Sequence, residues 1–374
     1  MNRRALLTRG LLASLLVTEL WRPALAKTRV QVTDAAGRAV SVTVPAERIV
    51  VMFNYEEFIA IAGPHAFDRV VGYSKTVWYD WRRSIWETYA AAIPRLTQVP
   101  DVGYALDSTF SAEKVVALRP DVVIMPRWAF DPLRPAVAQL AGAGIPTVVI
   151  DYNAMRVPLH VASTLAIGRI VGADGRAREL ADLYTAKVAD VRARVARAAL
   201  AGLPRPKVYV ELGDPGPAEY GDSFVADQWG PLVDIVGGIN IAKGQITSEA
   251  PLRAEYVLAS NPDYIFIAGS SWTNAPASVD MGFGVPASVT AARLKPYLDR
   301  PGWRDLNAVR TGHVYAIHHG IVRTLFDYTA MQFFGQALYP AQFAGVDPEA
   351  SLRAYFDHYL PVRYSGTWML RMTS

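Results

Sequence analysis

Apolar residues along this chain come in two rhythms. Short unbroken runs, rich in valine, isoleucine and aromatics and closed by Pro, Gly or Asp, lie at 48–53, 69–73, 122–125 and 147–151, and again at 207–212, 264–268 and 313–317. Runs without polar alternation are strands covered on both faces, as in parallel sheets. Between them apolar residues recur at threes and fours, which predicts helices over 133–143, 158–171, 230–236 and 326–338. Ahead of these, VQVTDAAGRAVSV alternates valines around Asp34-Ala35-Ala36-Gly37 and reads as a hairpin. The expected class is α/β, with two Rossmann-like lobes built on parallel sheets.

The stretch 174–201 separates the two sets of strands. Leu180, Leu183, Tyr184, Val188, Val191 and Val195 recur at helical spacing and give one apolar face. Asp174 is the expected N-cap, and Gly202 with Pro204 ends the run. A helix of about 25 residues is a rod of roughly 37 Å. Such a rod fixes the spacing of two lobes and allows only small bending. The expected division is an N-terminal lobe over 27–173, a linking helix over 174–201, a C-terminal lobe over 202–340 and a helical extension over 341–374.

The lobes also repeat a sentence. AEKVVALRPDVVIM begins at Ala112 and AEYVLASNPDYIFI at Ala254, an offset of 254 − 112 = 142 residues. Each copy puts a glutamate, Glu113 or Glu255, in the first turn of a short helix, then Pro-Asp before a buried strand. A first-turn acid complements the helix dipole. That explains either copy alone, not the coincidence of both.

The ends and the composition narrow the class. Arg3 and Arg4, the apolar stretch from Leu11 to Leu20 and Ala24-Leu25-Ala26 read as an export signal over 1–26, too short to span a bilayer. The paired arginines point to the twin-arginine route, with an ordinary secretory signal as the alternative. With no cysteine there is no disulfide and no cysteine for lipid attachment, so a soluble, unlipidated periplasmic protein is expected. Hydrophobic content of 51% is ample for two cores. A net charge of +4, scattered without long basic runs, makes nucleic acid an unsuitable partner.

Several marks together resemble the substrate-binding proteins of ABC importers for iron–siderophores, haem and cobalamin, the class with a helical spine. They are Val32-Thr33-Asp34 to Arg38 and Val40, Pro45-Ala46-Glu47-Arg48-Ile49-Val50, Arg69-Val70-Val71-Gly72, and Glu113 through Pro120-Asp121. In the second lobe they are Gly237-Gly238-Ile239-Asn240 and Glu255 through Pro262-Asp263. The resemblance implies a class III periplasmic binding fold, a permease dimer in the inner membrane as partner, and Glu113 and Glu255 as its docking acids. The tail, Ala337-Leu338-Tyr339-Pro340 to Tyr359, looks like longer members that include ferric-chelate and molybdate/tungstate binders. It implies no intrinsic cofactor, a cargo that carries Fe(III) or another metal, and a monomer.

In two-lobe sheets a ligand sits beyond the carboxyl ends of the strands. Residues just past each strand include Phe53-Asn54-Tyr55, a segment with Trp78, Tyr79, Trp81, Arg82 and Arg83, Arg127-Trp128, Tyr220, Trp272, and His318-His319 leading to Arg323. From these the candidate ligand-binding residues are Tyr55, Trp78, Arg127, Trp128, Tyr220, Trp272, His319 and Arg323. Aromatic faces with guanidinium forks suit a bulky anionic chelate. Trp86, Trp303 and Trp368 are assigned to packing. His318 and His319 are candidate contacts to a chelated metal, but neighbours on a strand face opposite ways, so at most one faces the cleft. It would hydrogen-bond a ligand or fill one metal site; a core-satisfied pair is the alternative. Gly221-Asp222-Ser223 lacks the flanking glycines of a nucleophile elbow. The expected function is capture and delivery of a ferric siderophore, with molybdate, tungstate, haem or cobalamin as alternatives and a metal-dependent enzyme as a distant one.

Overall fold

The computed structural model describes residues 27–372; the export signal expected over 1–26 lies outside the described residues. The chain opens with an antiparallel hairpin, β1 (Thr28–Thr33) and β2 (Ala39–Val44). The N-terminal lobe is a four-stranded parallel sheet of β3 (Ile49–Val51), β4 (Val70–Tyr73), β5 (Val122–Pro126) and β6 (Thr147–Ile150), in the order β4-β3-β5-β6. Every residue of β3, β5 and β6 is buried, which is why these segments carry no polar alternation.

In the second lobe, β7 (Lys207–Leu212) is followed by a small antiparallel pair, β8 (Asp222–Phe224) with β10 (Glu249–Pro251), and by the short edge strand β9 (Ile239–Asn240) between them in sequence. Then come β11 (Tyr264–Gly269), β12 (Val314–His318) and β13 (Met369–Arg371). The sheet order is β13-β12-β11-β7-β9, parallel except for β13. The tail is therefore not wholly helical: after the helix Pro348–Tyr359 it closes the sheet edge as β13. Phe356 is fully buried and Tyr359 largely so, as a packed extension requires.

The helix Asp174–Leu200 is continuous and buries Leu180, Tyr184, Val188 and Val191. Asp174 is its first helical residue rather than its N-cap, a position held by Ala173 without a side-chain bond. It runs against the helix Val157–Val171, turned back by Gly172 at φ 71°. A Cβ on Gly168 would stand 2.2 Å from the Ala177 Cβ, so only glycine admits this approach. The helix Tyr328–Leu338 also packs on the rod.

The repeated sentence has a structural reason beyond its glutamates. In the first copy the Asp121 carboxylate accepts the backbone N–H groups of Glu47 and Arg48, at 2.8 and 3.0 Å. In the second, Asp263 accepts Lys207 N–H at 2.8 Å. Each Pro-Asp thus pins the entry of the neighbouring strand and sets its register. The helices Ala112–Leu118 and Ala254–Ser260 stop the same way, at Arg119 (φ 47°) and Asn261 (φ 44°) before proline.

Candidate functional site

The carboxyl ends of both sheets open onto one cavity of about 390 Å³ between the lobes. From the first lobe come Phe53 past β3, Tyr104, Trp128 past β5 and Asn153 past β6. A six-residue π-helical turn, Thr76–Trp81, brings Trp81 to the same wall and leaves Arg82 at its end. Such turns widen the helix by one residue and re-aim the side chains that follow. The rings hold one another: Trp128 is edge-on to Phe53 at 5.3 Å and to Tyr104 at 5.6 Å, and Trp81 meets Tyr104 at 5.2 Å. The second lobe supplies Asp214 past β7, Asp227, Gln228 and Glu249 from the β8/β10 pair, Trp272 past β11, and His319 and Arg323 past β12.

Two arginines form the floor. Arg82 is 7% and Arg323 8% exposed, so both are nearly out of solvent. Arg323 Nη1 donates to Gln228 Oε1 at 2.6 Å and lies 3.1 Å from His319 Nε2. Its backbone sits at φ 65°, and Asn54 Nδ2 donates to its carbonyl at 3.2 Å. A non-glycine residue held there marks a position its surroundings over-determine. Arg82 lies 5.8 Å over the Trp272 ring, and among the described residues its Nε meets no acceptor. Burial first, then the charge of Arg323, pushes Arg82 down to about 9, still cationic at neutral pH. Burial likewise lowers Arg323, against the pull of Asp227 and Glu249.

Carboxylates frame the pair on two sides. Behind it, around a void of about 30 Å³, lie Glu56 and Glu57. Glu57 accepts Leu325 N–H and Asn54 Nδ2, each at 3.2 Å. Burial, and then Glu57, raises Glu56 to about 8; burial raises Glu57 to about 7. Glu56 is thus mostly protonated at neutral pH and itself does little to neutralise the arginines. On the second lobe Asp227 and Glu249 line the same cavity, and partial burial there raises both.

Two backbone hydrogen bonds join the lobes across this space, Thr273 N–H to Trp81 O at 2.8 Å and Gln228 N–H to Asn153 O at 2.9 Å. Beneath it, His160 Nε2 lies 3.0 Å from Asp327 Oδ2, with both side chains buried.

Of the sequence candidates, the structure brings Trp128, Trp272, His319 and Arg323 together at the cavity. It does not bring Tyr55, Trp78, Arg127 or Tyr220 there. Tyr55 points into the core and donates to the Ser74 and Met52 carbonyls, while its neighbour Phe53 takes the cleft. Trp78 stacks on Tyr89 at 4.5 Å. Arg127 turns out to Asp131 at 2.7 Å. Tyr220 accepts the Trp303 indole N–H at 2.8 Å and packs under Arg300. Arg300 is itself tied to buried Glu211 at 2.7 Å.

The two histidines face different ways. His318, 1% exposed, lies 3.3 Å from Ser270 Oγ and accepts Gly320 N–H at 3.1 Å, whereas His319 reaches the cavity. Among the described residues no three His, Asp or Glu side chains group so as to hold a metal ion. Glu113 and Glu255 are both exposed. Trp303 and Trp368 are buried, and Trp86 is half-buried with its indole N–H on Tyr73.

The residues missed are Trp81, Arg82, Phe53, Tyr104, Asp227 and Gln228. The first three stood just past strand ends in the sequence; the others carry no local mark.

Comparison with known proteins places this architecture. A family model described as periplasmic binding protein matches residues 50–319. The chain is similar to a TroA-like periplasmic binding protein FepB from Veillonella parvula, at 37% identity and a TM-score of 0.86, over 92% of this chain and 100% of that one. It shares its fold with the molybdate-bound MolA of Haemophilus influenzae, at 17% identity and a TM-score of 0.66, over 90% and 99% of the two chains. In sequence it is 24% identical to the high-affinity heme uptake system protein IsdE of Staphylococcus aureus, over 61% of this chain and 69% of that protein.

Proposed function

The chain belongs to the periplasmic binding protein family, and on that premise we propose that it captures a metal chelate, foremost a ferric siderophore, and delivers it to an ABC permease. The family is one of substrate-binding transport proteins, and no described helix is long and apolar enough to cross a membrane. The observation that carries the ligand reading is the buried pair Arg82 and Arg323 beneath walls of Trp81, Tyr104, Trp128 and Trp272. Guanidinium groups out of water pair strongly with carboxylate, catecholate or hydroxamate oxygens. The rings supply flat contact area at small entropic cost. A volume of about 390 Å³ lies within the span of organic-ligand pockets and is generous for a bare tetraoxoanion, so molybdate or tungstate ranks second. Haem ranks with it, because Trp128 and Trp272 offer ring faces from opposite lobes.

The metal would travel inside its chelate, which fits a cleft where no three His, Asp or Glu side chains among the described residues group to hold an ion. The exposed Glu113 and Glu255 would engage the two permease subunits, one acid per lobe on matching helices. Catalysis has little support: Ser223, the hydroxyl of the Gly-Asp-Ser sequence, is buried and donates to Val210 O at 2.7 Å.

Titration calorimetry of the purified protein against ferric catecholate and hydroxamate siderophores, haem, cobalamin and molybdate tests the reading. One-to-one binding of a ferric siderophore, lost in Arg82→Ala/Arg323→Ala, is expected. Tighter binding of molybdate, or turnover of any of them, would overturn it.

A further inference from the structure

The ring of His319 stands between two groups that can only donate. On one side the indole N–H of Trp229 points at Nδ1 from 3.1 Å. On the other, Arg323 Nη1 lies 3.1 Å from Nε2. A neutral imidazole carries one proton and accepts at one nitrogen only. The ring is neutral, because burial and then the charges of Arg323 and Arg82 press its pKa well below the usual histidine value. It therefore satisfies one of its two neighbours.

Position decides which. Trp229 is wholly buried, stacked on Phe334 at 5.8 Å, and its indole N–H has His319 Nδ1 as its acceptor. A proton on Nδ1 would press two donors together in the packed core. Arg323 and His319 line the cavity, with Nε2 the ring nitrogen on the Arg323 side, and Arg323 already holds Gln228 Oε1 at 2.6 Å. A donor facing a donor at a cavity wall is resolved by any oxygen that enters. His318 is held in the same sense, its Nδ1 accepting the Gly320 amide while Nε2 faces Ser270 Oγ.

We infer that Trp229 locks His319 in the Nε2–H tautomer, so that His319 and Arg323 act as a paired N–H donor for one anionic oxygen of the ligand and His319 does not bind metal. Both ring nitrogens are then committed: Nδ1 to the indole, Nε2 to its proton. Arg82, with an Nε that meets no acceptor among the described residues, adds a third donor from the other lobe. The groups that oppose an anion here are Asp227 and Glu249 on the second lobe and Glu56 and Glu57 on the first. Among the described residues neither Arg82 nor Arg323 makes an ion pair with any of them, and Arg323 is held by the neutral Gln228, so both guanidinium groups keep N–H donors for an entering oxygen. The ligand part of this inference rests on the proposed function; the tautomer does not.

The tautomer is read without any ligand, by ¹⁵N NMR of [¹⁵N]histidine-labelled full chain, with His319→Gln used to assign the signals. The expected spectrum shows Nδ1 unprotonated and Nε2 protonated, unchanged between about pH 5.5 and 8. In Trp229→Phe the proton moves in part to Nδ1, since Nε2 is then free to accept from Arg323. A wild-type ring with its proton on Nδ1, or charged at neutral pH, overturns the inference.

The ligand part is tested with ferric citrate, ferric enterobactin, haemin and sodium molybdate. For a probe that binds the wild type, His319→Ala weakens binding by about 10- to 100-fold, and His319→Gln, whose amide N–H takes the place of Nε2–H, restores most of it. The charge-transfer band of a bound ferric chelate keeps its shape in His319→Ala. Unchanged affinity in His319→Ala, or a band that shifts when the imidazole is removed, overturns the donor role. If no probe binds the wild type, the proposed function falls, and the NMR result still decides the tautomer.

Discussion

Glu56→Gln gives the sharpest stability test, because the carboxyl it replaces is neutral at one pH and ionised at another. Among the described residues its one side-chain hydrogen bond is from Tyr89 OH at 3.4 Å, so an amide of the same shape fits without loss. Burial and the adjacent Glu57 raise Glu56 from 4.5 to about 8, against the pull of Arg82. The folded chain thus holds this proton more tightly than the unfolded chain, and stability falls as pH rises from the unfolded value toward the folded one. Each pH unit in that window costs about 1.4 kcal/mol, and the ionised fraction near pH 8 trims the total. With the cavity's partial solvation discounted, the wild type should lose about 2 kcal/mol to this group between about pH 6 and 8. Glu57, raised to about 7, adds to the slope in both proteins, so the comparison reads Glu56 together with its coupling to Glu57. Guanidinium unfolding at the two pH values reads the difference. Glu56→Gln should already be the more stable protein at the lower pH, and its advantage should grow by about 2 kcal/mol at the higher. Parallel curves for the two proteins would refute the burial argument, and with it the claim that Glu56 does little to neutralise the arginines.

Other expectations follow from the same contacts. Glu113→Ala with Glu255→Ala should abolish uptake in cells while the purified protein keeps its ligand affinity; normal uptake would remove their docking role. Glu211→Gln leaves Arg300 buried against a neutral partner and should cost about 3–5 kcal/mol in thermal or chemical unfolding. Gly335→Ala puts a Cβ 2.2 Å from the Phe343 ring and should cost on the order of 1–3 kcal/mol, with little effect on binding. Lobe rotation between free and bound crystals should stay under about 20°, because the unbroken rod Asp174–Leu200 resists bending.

The parts of the fold legible in the sequence were those with one strong cause. Strands such as β5 and β11 read as unbroken apolar runs because both their faces are covered. The rod read from its period, and the two Glu…Pro-Asp units from their fixed offset. Cleft residues were legible only where strand-end position sufficed, as at Trp128, Trp272 and His319. Tyr55 failed by two positions: past β3 the chain turns into the helix Tyr55–Ala62, and it is Phe53 that faces the cavity. Trp81 and not Trp78 reaches the cavity because the π-helical turn shifts the exposed face, and local apolar spacing does not report such a turn. Tyr220 was drawn away by Arg300, a partner 80 positions on that no local pattern reveals. Asp227, Gln228 and Glu249 ride on or beside β8 and β10, three-residue strands too short and polar to stand out.

A crystal structure with the tightest-binding ferric chelate would test the account most directly. It should show the chelate between Trp128 and Trp272, one anionic oxygen within hydrogen-bond reach of Arg82, His319 Nε2 and Arg323, and the metal bonded to the chelator alone. A ligand seated outside the interlobe cavity, or one that leaves both arginines untouched, would contradict it.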